Sequence, residues 1–355
     1  MFCEFLKKGA FCLARFIGID LGTSSVLIYV KGKGIVLDEP SAVAVNDETG
    51  ELVEIGRDAL MMLGRTPAGI SVIKPMSEGV ISKYEVTLTM LQQFIKKATA
   101  MSQIFKPIIA VCVPSGITDV EERAVRDAAT QIGARYTYLI EEPLAAAIGA
   151  GVDIMSPDAQ MVVDIGGGTT DIAVISYGQI AFSESVRVGG DKFDEAITRY
   201  VRRRHNLLIG ERTAEKVKTE IGSVWQREEP LTLEVKGRGV LEGLPKAVKL
   251  TSSEMVGALE DPVTSIVEAI CAVIEKVPPE MLKDITKKGI IMTGGGSMLY
   301  GLDRLIANVT GIKTRVAENA ISCVAIGTGM ALERYLKDPG KAISFTREKK
   351  RYEFD

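Results

Sequence analysis

Short runs of apolar, often β-branched residues alternate along the chain with longer amphipathic segments. The runs are mostly bounded by Gly, Pro or Asp and predict buried strands at residues 16–19, 26–30, 108–113, 161–165, 172–175 and 289–292. Apolar residues at helical spacing predict helices at residues 87–98, 119–131, 191–204, 212–221, 253–276 and 302–308, with Asp119 as the cap of the second. This mixture of strands and helices indicates an α/β fold.

Two strand–turn–strand segments repeat the same order of residue types. Residues 17–29 read IGIDLGTSSVLIY and residues 161–175 read MVVDIGGGTTDIAVI, so each has an aspartate at the end of its first strand and a Gly–Thr turn after it. Residues 108–116 and 289–297 form a second such pair: an apolar strand, a tight turn with Pro or Gly, and a helix. The repetition predicts two halves of similar topology that meet near residue 150, with chance similarity of glycine-rich turns as the alternative.

The two glycine-rich turns suit phosphate binding, because glycine leaves backbone N–H groups accessible to phosphate oxygens. Asp20 and Asp164 are placed to hold a hydrated Mg²⁺ that bridges the phosphates. Two facing turns, each with its own aspartate, predict a clamp around a nucleotide. The P-loop and dinucleotide-binding glycine patterns are both absent. The turn glycines are Gly22, Gly166, Gly167 and Gly168, and the hydroxyl donors are Thr23, Ser24, Ser25, Thr169 and Thr170.

Two further segments complete the predicted nucleotide site. Glu142 precedes Pro143 at the start of an alanine-rich helix, where it is placed to orient a water for attack on a γ-phosphate. The alternative is a helix N-terminal carboxylate stabilised by the helix dipole, and the adjacent Glu141 is a rival for the catalytic role. A second strand-to-helix turn presents bare backbone to a base or ribose, and its residues are Gly294, Gly295, Gly296, Ser297 and Met298.

Composition narrows the function further. The net charge is only -3, from 43 basic and 46 acidic residues, so no strong overall field recruits nucleic acid and no nucleic-acid partner is expected. The single histidine, His205, follows three arginines and is predicted to be a solvated surface residue; one histidine excludes a histidine-rich metal site. Five cysteines without a C-x-x-C pair indicate a reducing cytoplasm, with Cys112, Cys271 and Cys323 buried.

The first 16 residues predict a short, net-positive amphipathic helix. Its basic face suits the interface of an anionic membrane, and docking on the protein's own core is the alternative. Its apolar face carries Phe2, Phe5, Leu6, Leu13 and Phe16. The tail, residues 341–355, mixes charges and is expected to be mobile.

Taken in order, the motifs resemble those of the actin and DnaK-type chaperone ATPase superfamily. The matching segments are DLGT at 20–23, EP at 142–143, DIGGGT at 164–169, GGGS at 294–297 and AIGTG at 325–329. Within it the chain is most similar to the MreB family of bacterial actins. The similar stretches include KGKGIVLDEP at 31–40, KPMSEGVI at 74–81, RVGGDKFD at 187–194 and HNLLIG at 205–210.

The resemblance implies an actin-like α/β fold, with two duplicated domains that each carry a smaller subdomain and a nucleotide in the interdomain cleft. Domain I is expected at residues 17–150, with its small subdomain at about 35–73 and a return at 320–340. Domain II is expected at residues 151–319, with its small subdomain at about 184–243.

The resemblance also implies ATP or ADP with Mg²⁺ as ligands. Glu142 and Thr169 would orient the hydrolytic water, and Asp20 and Asp164 would hold the metal through water, with Asp164 also part of the catalytic set. Glu215 and Lys218 would face the adenosine, a solvated helix face being the alternative. The family usually has Ala-Asn where this chain has Ser24 and Ser25, which leaves the β-phosphate contact open. Ile104 and Phe105 match the position of a membrane-binding loop.

The function implied by the resemblance is an ATPase that polymerises into membrane-associated filaments, with paired protofilaments, and directs cell shape and lateral cell-wall synthesis. Its expected location is cytoplasmic, peripheral on the inner face of the cell membrane, with cell-wall elongation and shape proteins as partners. The alternatives are a structural filament that holds nucleotide without hydrolysing it, a chaperone-type ATPase and a small-molecule kinase of the same superfamily.

Overall fold

A computed structural model describes residues 16–99 and 106–337. Several sequence predictions lie outside these ranges: the N-terminal helix up to residue 15, the loop residues Ile104 and Phe105, and the tail. Within the described ranges, no helix is both long and apolar enough to cross a membrane. The chain divides into two compact units. Unit 1 contains residues up to Ser156, Tyr177–Gln179 and those from Ser322 onward, and unit 2 contains Pro157–Ser176 and Ile180–Ile321.

Unit 1 is built on a five-stranded sheet with the order β10-β9-β1-β2-β3. Strands β9 and β10 run parallel to β1, and β2 and β3 continue as an antiparallel meander. A three-stranded sheet, β5-β4-β6, forms a smaller layer and packs against the helix Gly56–Met62. The strands are β1 Phe16–Leu21, β2 Ser25–Val30, β3 Gly34–Pro40, β4 Val43–Asn46, β5 Leu52–Ile55, β6 Ile70–Ile73, β7 Met76–Ser77, β8 Val80–Ile81, β9 Ile108–Val113 and β10 Tyr136–Glu141.

Unit 2 is built on a second five-stranded sheet, with the order β13-β12-β11-β17-β18. A three-stranded sheet, β14-β15-β16, forms its smaller layer. The predicted subdomain limit at residue 243 falls in the turn between β15 and β16, which pair with each other along their length. The strands are β11 Gln160–Ile165, β12 Thr170–Ser176, β13 Gln179–Val186, β14 Leu207–Leu208, β15 Thr232–Gly239, β16 Pro245–Thr251, β17 Ile290–Thr293 and β18 Thr314–Val316.

The helices cover the faces of the two large sheets, as the near-continuous apolar strands require. Helices α4 and α11 pack closely against each other, and α11 lies on β1. The described helices are α1 Gly56–Met62, α2 Tyr84–Thr99, α3 Asp119–Gln131, α4 Glu142–Gly149, α5 Gly190–His205, α6 Glu211–Ile221, α7 Ser252–Ala258, α8 Glu260–Lys276, α9 Pro279–Lys288, α10 Leu302–Thr310 and α11 Cys323–Lys337.

The two large sheets have the same internal topology. In each, a central strand pairs antiparallel with the strand that follows it and parallel with a strand that comes much later in the chain. Strand β1 therefore corresponds to β11, β2 to β12, β9 to β17 and β10 to β18. Each sheet has its own apolar core, with Phe94 fully buried in unit 1 and Phe193 in unit 2. The repeat seen in the sequence is thus a repeat of strand order.

Three local predictions were wrong. The predicted helix 253–276 is two helices, α7 and α8, which meet at Leu259, because Pro262 has no N–H to donate to the carbonyl four residues earlier. Helix α3 is capped by Thr118, whose hydroxyl accepts from the N–H of Glu121, and Asp119 is the first helical residue. Phe16 belongs to strand β1 and not to a helix, and its ring lies 4.7 Å from Nζ of Lys31.

The buried-cysteine and surface-histidine predictions need two corrections. Cys112 and Cys323 are buried as predicted, but Cys271 is only half-buried. His205 is not a solvated residue: its side chain is partly buried, and Nε2 lies 2.8 Å from Oε1 of Glu254 at the start of α7. The neighbouring arginines indicate a solvated position, and the contact is not visible in the local sequence because its partner is 49 residues away.

Candidate functional site

The turn between β1 and β2 is closed by a hydrogen bond from the N–H of Gly22 to the carbonyl of Ser25, at 3.0 Å. A Cβ at Gly22 would lie 2.8 Å from that carbonyl oxygen, so only glycine fits. The hydroxyl of Ser41 donates to the Gly22 carbonyl at 2.7 Å, and Thr23 accepts from the N–H of Gly79 at 3.0 Å. Thr23 is therefore buried and holds the turn, while Ser24 is exposed at its tip.

Asp20 is the residue before the last in β1, directly ahead of this turn. Its Oδ1 lies 3.4 Å from the Sγ of Cys112, which belongs to the neighbouring parallel strand β9. Burial raises the pKa of Asp20 from 3.8 to about 6, and the hydrogen bond from Cys112 opposes the rise. Asp20 thus remains mostly ionised at neutral pH, in surroundings that favour an added positive charge.

The rival carboxylates Glu141 and Glu142 have different surroundings. Glu141 is the last residue of β10, and its Oε2 accepts a 2.9 Å hydrogen bond from the hydroxyl of Ser115. Glu142 is the first residue of α4 and is half-buried. Burial raises the pKa of the Cys112 thiol most, followed by the charge of Asp20 and then by the charge of Glu142. Glu142 and Asp20 therefore both act on Cys112, whereas Glu141 is held by Ser115.

The turn between β11 and β12 has the same closure as the first turn: the N–H of Gly166 donates to the carbonyl of Thr169 at 2.9 Å. The first residues of α5 fasten its backbone, since the N–H groups of Gly190 and Asp191 donate to the carbonyls of Gly166 and Gly167 at 3.0 and 2.8 Å. This contact needs a glycine at position 189, because a Cβ there would lie 2.6 Å from the Gly166 carbonyl oxygen.

Asp164 is the equivalent of Asp20 in unit 2. It is buried, and its Oδ1 accepts a 2.5 Å hydrogen bond from the hydroxyl of Thr293, its register partner on the parallel strand β17. Thr169 is almost completely buried, and Thr170 donates to the carbonyl of Val188 at 2.7 Å. The hydroxyl of Thr170, grouped with the phosphate donors in the sequence, is therefore engaged within the protein.

In the turn after β17, some of the residues predicted to contact a ligand are packed inside the protein and others are exposed. Gly294 and Gly296 pack against Ile165, where a Cβ on either would lie within 2.5 Å of its atoms. Ser297 is buried and donates to the Gly294 carbonyl at 2.7 Å, so these three residues shape the turn. Only Gly295 and Met298 are exposed, Met298 with 62% of its surface accessible.

Lys218 and Glu215, the predicted adenosine contacts, lie on α6. Nζ of Lys218 is 2.8 Å from Oδ2 of Asp194 and 3.1 Å from the carbonyl of Gly190, which connects α6 to the first turns of α5. Burial raises the pKa of Asp194 to about 6, and the ammonium of Lys218 opposes the rise. Glu215 is exposed. Lys218 therefore fastens the helix that holds the second turn, whereas Glu215 is accessible to a ligand.

Sequence reasoning missed Ser115, Cys112 and Thr293, which bind the predicted acidic residues. A signal for two of them existed: Cys112 and Thr293 are each the fifth residue of the repeated segments 108–116 and 289–297. No signal pointed to Ser115, because its contact depends on how the loop after β9 meets the end of β10.

The residues at the two turns fit a phosphate-bound magnesium ion. Mg²⁺ commonly keeps several waters and is held by one or two carboxylates together with substrate phosphates. Across residues 16–99 and 106–337, no three His, Cys, Asp or Glu side chains lie close enough to form a metal cage. Each unit instead offers one aspartate near the end of a strand, Asp20 or Asp164, beside a glycine-containing turn. This donor set suits a hydrated ion held largely by a nucleotide.

The sequence and the fold are similar to those of known proteins. A family model described as MreB/Mbl protein matches residues 14–339. The chain is 50% identical over 333 residues to the cell shape-determining protein MreB of Escherichia coli K12, covering 92% of this chain and 96% of the relative.

Solved structures show the same architecture. MreB5 of Spiroplasma citri bound to ADP superposes with a TM-score of 0.88 at 35% identity, over 92% of this chain and 98% of that chain. A chain of the MamK double helical filament superposes with a TM-score of 0.77 at 20% identity, over 90% of this chain and 99% of that chain. The MamK likeness concerns the fold alone, and together these similarities show an actin-like fold.

Proposed function

The chain belongs to the MreB/Mbl family, and from this membership we propose that it is an ATP-hydrolysing, actin-like protein of cell-shape control. It binds ATP or ADP, polymerises into filaments of paired protofilaments and lies on the inner face of the cell membrane. There it directs lateral cell-wall synthesis together with elongation and shape proteins. The ADP bound by the MreB5 relative and the relatives' role in cell shape support this proposal.

One observation carries the nucleotide-binding part of the proposal: the turns of the two units are closed in the same way. The Gly22–Ser25 and Gly166–Thr169 hydrogen bonds are equivalent, and an aspartate stands two residues before each glycine. A turn built for structure alone has no need of a strand-end carboxylate at the same place in both units. A pair of turns that bind the phosphates of one nucleotide explains both features.

In this mechanism the backbone N–H groups of both turns bind phosphate oxygens, and the exposed hydroxyl of Ser24 adds a donor. Asp20 and Asp164 would hold magnesium through water, and the ion, when bound, neutralises phosphate charge. Glu142 orients the attacking water, with the Thr169 hydroxyl as its second contact. Glu215, Gly295 and Met298 are the exposed residues offered to the adenosine.

Binding and hydrolysis have different consequences for assembly. A nucleotide shifts a conformational equilibrium only by as much as it binds one state better than the other. ATP therefore favours the polymerising state, and hydrolysis to ADP loosens subunit contacts. The basic N-terminal segment, with Phe2, Phe5, Leu6 and Leu13, attaches the filament to anionic lipid, and Ile104 and Phe105 add a second apolar contact.

The proposal is tested by electron microscopy on anionic lipid with ATP, with ADP and without nucleotide, alongside phosphate release in solution. We expect filaments on lipid with ATP and phosphate release that grows with filament mass. Filaments without any phosphate release would instead indicate a structural filament that holds nucleotide without hydrolysing it. ATP consumption that is proportional to an added small-molecule acceptor, without release of free phosphate, would instead indicate a kinase.

A further inference from the structure

In both units the strand-end aspartate is bonded by a side chain from the neighbouring parallel strand. Asp164 on β11 is the register partner of Thr293 on β17, and the Thr293 hydroxyl donates to its Oδ1 at 2.5 Å. On β1 and β9 the paired positions run up to Ile19 and Val111, so Cys112 is the next residue beside Asp20. Its Sγ lies 3.4 Å from Oδ1 of Asp20.

These two contacts occupy the same place in two sheets of the same order. Strand β9 holds in unit 1 the position that β17 holds in unit 2, on the same side of the central strand. A threonine hydroxyl and a cysteine thiol have little in common as packing groups, but each carries one proton to donate. A hydrogen-bond donor therefore recurs beside the aspartate in both units although the residue type differs. Packing alone does not explain this recurrence.

We propose that Cys112 and Thr293 are equivalent positioning residues, which orient Asp20 and Asp164 toward the hydrated magnesium ion of the bound nucleotide. Each donor engages Oδ1 of its carboxylate and so sets the rotation of the carboxylate plane. The inference deepens the proposed function and rests on it, since the metal belongs to that nucleotide site. Neither residue contacts the nucleotide in this role; both act through an aspartate.

The surroundings of the two donors support a positional role. Thr293 is completely buried and Cys112 is almost completely buried, so water does not compete for either hydrogen bond. Residues that orient metal-binding groups in this way commonly contribute about 10–100-fold to metal affinity.

The test compares variants that keep the shape and lose the donor with variants that keep the donor. Thr293→Val and Cys112→Ala remove the donated proton, whereas Thr293→Ser and Cys112→Ser retain a hydroxyl. The readout is the affinity for a fluorescent ADP analogue, measured with excess Mg²⁺ and again in chelator, so that the gain in affinity due to Mg²⁺ is obtained for each protein.

We expect Thr293→Val and Cys112→Ala each to reduce that gain about tenfold, while affinity in chelator is unchanged and the serine variants keep the gain. Equal losses with and without Mg²⁺, or serine variants that behave like the valine and alanine ones, would overturn the inference by indicating a purely structural role.

Two safeguards keep the outcome decisive. If Thr293→Val does not fold, as judged by circular dichroism, Cys112→Ala tests the same prediction in the other unit. A wild-type protein that binds ADP equally well with and without Mg²⁺ would contradict the proposed nucleotide site itself and, with it, the inference. A wild-type gain that survives both donor-removing substitutions would contradict the inference alone.

Discussion

The hydroxyl of Ser115 donates a 2.9 Å hydrogen bond to the carboxylate of Glu141, the residue next to the proposed catalytic Glu142. The bond ties the end of β10 to the loop after β9. The two adjacent carboxylates belong to different elements: Glu141 is the last residue of β10, and Glu142 is the first residue of α4.

Glu142→Gln is expected to lower the rate of phosphate release by about 100-fold or more, because the amide cannot accept a proton from the attacking water. Affinity for ATP should stay close to that of the wild type, since the turns bind the phosphates in the proposed site. The matched control is Glu141→Gln, which should retain most of the activity. Loss of hydrolysis in the Glu141 variant with full activity in the Glu142 variant would reverse the assignment.

Gly327→Ala is expected to destabilise unit 1 by about 1–3 kcal/mol. A Cβ at position 327 of α11 would lie 1.8 Å from the carbonyl oxygen of Ala145 on α4, so the two helices must move apart. Because α4 begins at Glu142, hydrolysis should fall more than nucleotide affinity. Urea unfolding and phosphate release measure both effects.

The control for this substitution is Gly257→Ala on the exposed face of α7, where a Cβ meets no atom within 4 Å. It should be neutral or stabilise the protein by up to about 1 kcal/mol. Similar losses for both variants would show that helix packing at Gly327 is not the cause.

Lys218→Met is expected to lower stability in a pH-dependent way. The folded-state pKa of Asp194, about 6, is above its ordinary value of 3.8, so its contribution to stability is present below 3.8 and lost as the pH rises through 6. Without the ammonium of Lys218, the folded-state pKa of Asp194 rises further, so more stability is lost as the pH rises. The deficit against wild type should be small near pH 5 and about 2 kcal/mol near pH 8.

Urea unfolding at the two pH values measures this deficit. Lys216→Met is the matched control on the same helix, because its ion pair with Glu220 is exposed and should contribute under about 0.5 kcal/mol at either pH. A deficit for Lys218→Met that is independent of pH would contradict the role of the Asp194 charge.

The start of α7 is expected to lose stability in acid. Burial raises the pKa of Glu254, but hydrogen bonds from Thr251 and His205 outweigh it and bring the pKa below its ordinary value of 4.5. The contribution of Glu254 is therefore present above 4.5 and lost as the pH falls through the folded-state value. The wild type should lose more unfolding free energy than Glu254→Gln between about pH 5 and pH 3.

A second variant tests the same cap at neutral pH. Thr251→Ala removes the hydroxyl that accepts from the N–H of Glu254 and should cost about 1 kcal/mol. Equal acid sensitivity of the wild type and Glu254→Gln would show that the low pKa of Glu254 contributes nothing to folding.

Deleting residues 2–15 is expected to abolish most co-sedimentation with vesicles that contain anionic phosphatidylglycerol. The segment combines apolar residues with a basic face, so binding of the full chain should also weaken as salt is added. The comparison is a double variant, Ile104→Asp with Phe105→Asp. Unchanged binding after the deletion, with loss in the double variant, would assign the membrane contact to the loop.

Much of the fold could be predicted because it depends on local patterns. The strands that carry Asp20 and Asp164 were found from apolar runs, and their turns from glycine and threonine. The break between α7 and α8 was missed although Pro262 marks it, because the apolar periodicity continues across Leu259. His205 was misplaced for a different reason: its neighbours in sequence are arginines, whereas its partner Glu254 comes from another helix.

The amino-acid sequence by itself determined the repeated halves, the two glycine-rich turns and the acidic residue before each, because a hairpin needs only neighbouring residues to form. Tertiary structure alone decided what holds those acids. Cys112 meets Asp20 across 92 positions and Thr293 meets Asp164 across 129, and both contacts follow from the register of parallel strands. Parallel strands are joined by long connections, so no local pattern specifies which side chain will stand beside each carboxylate.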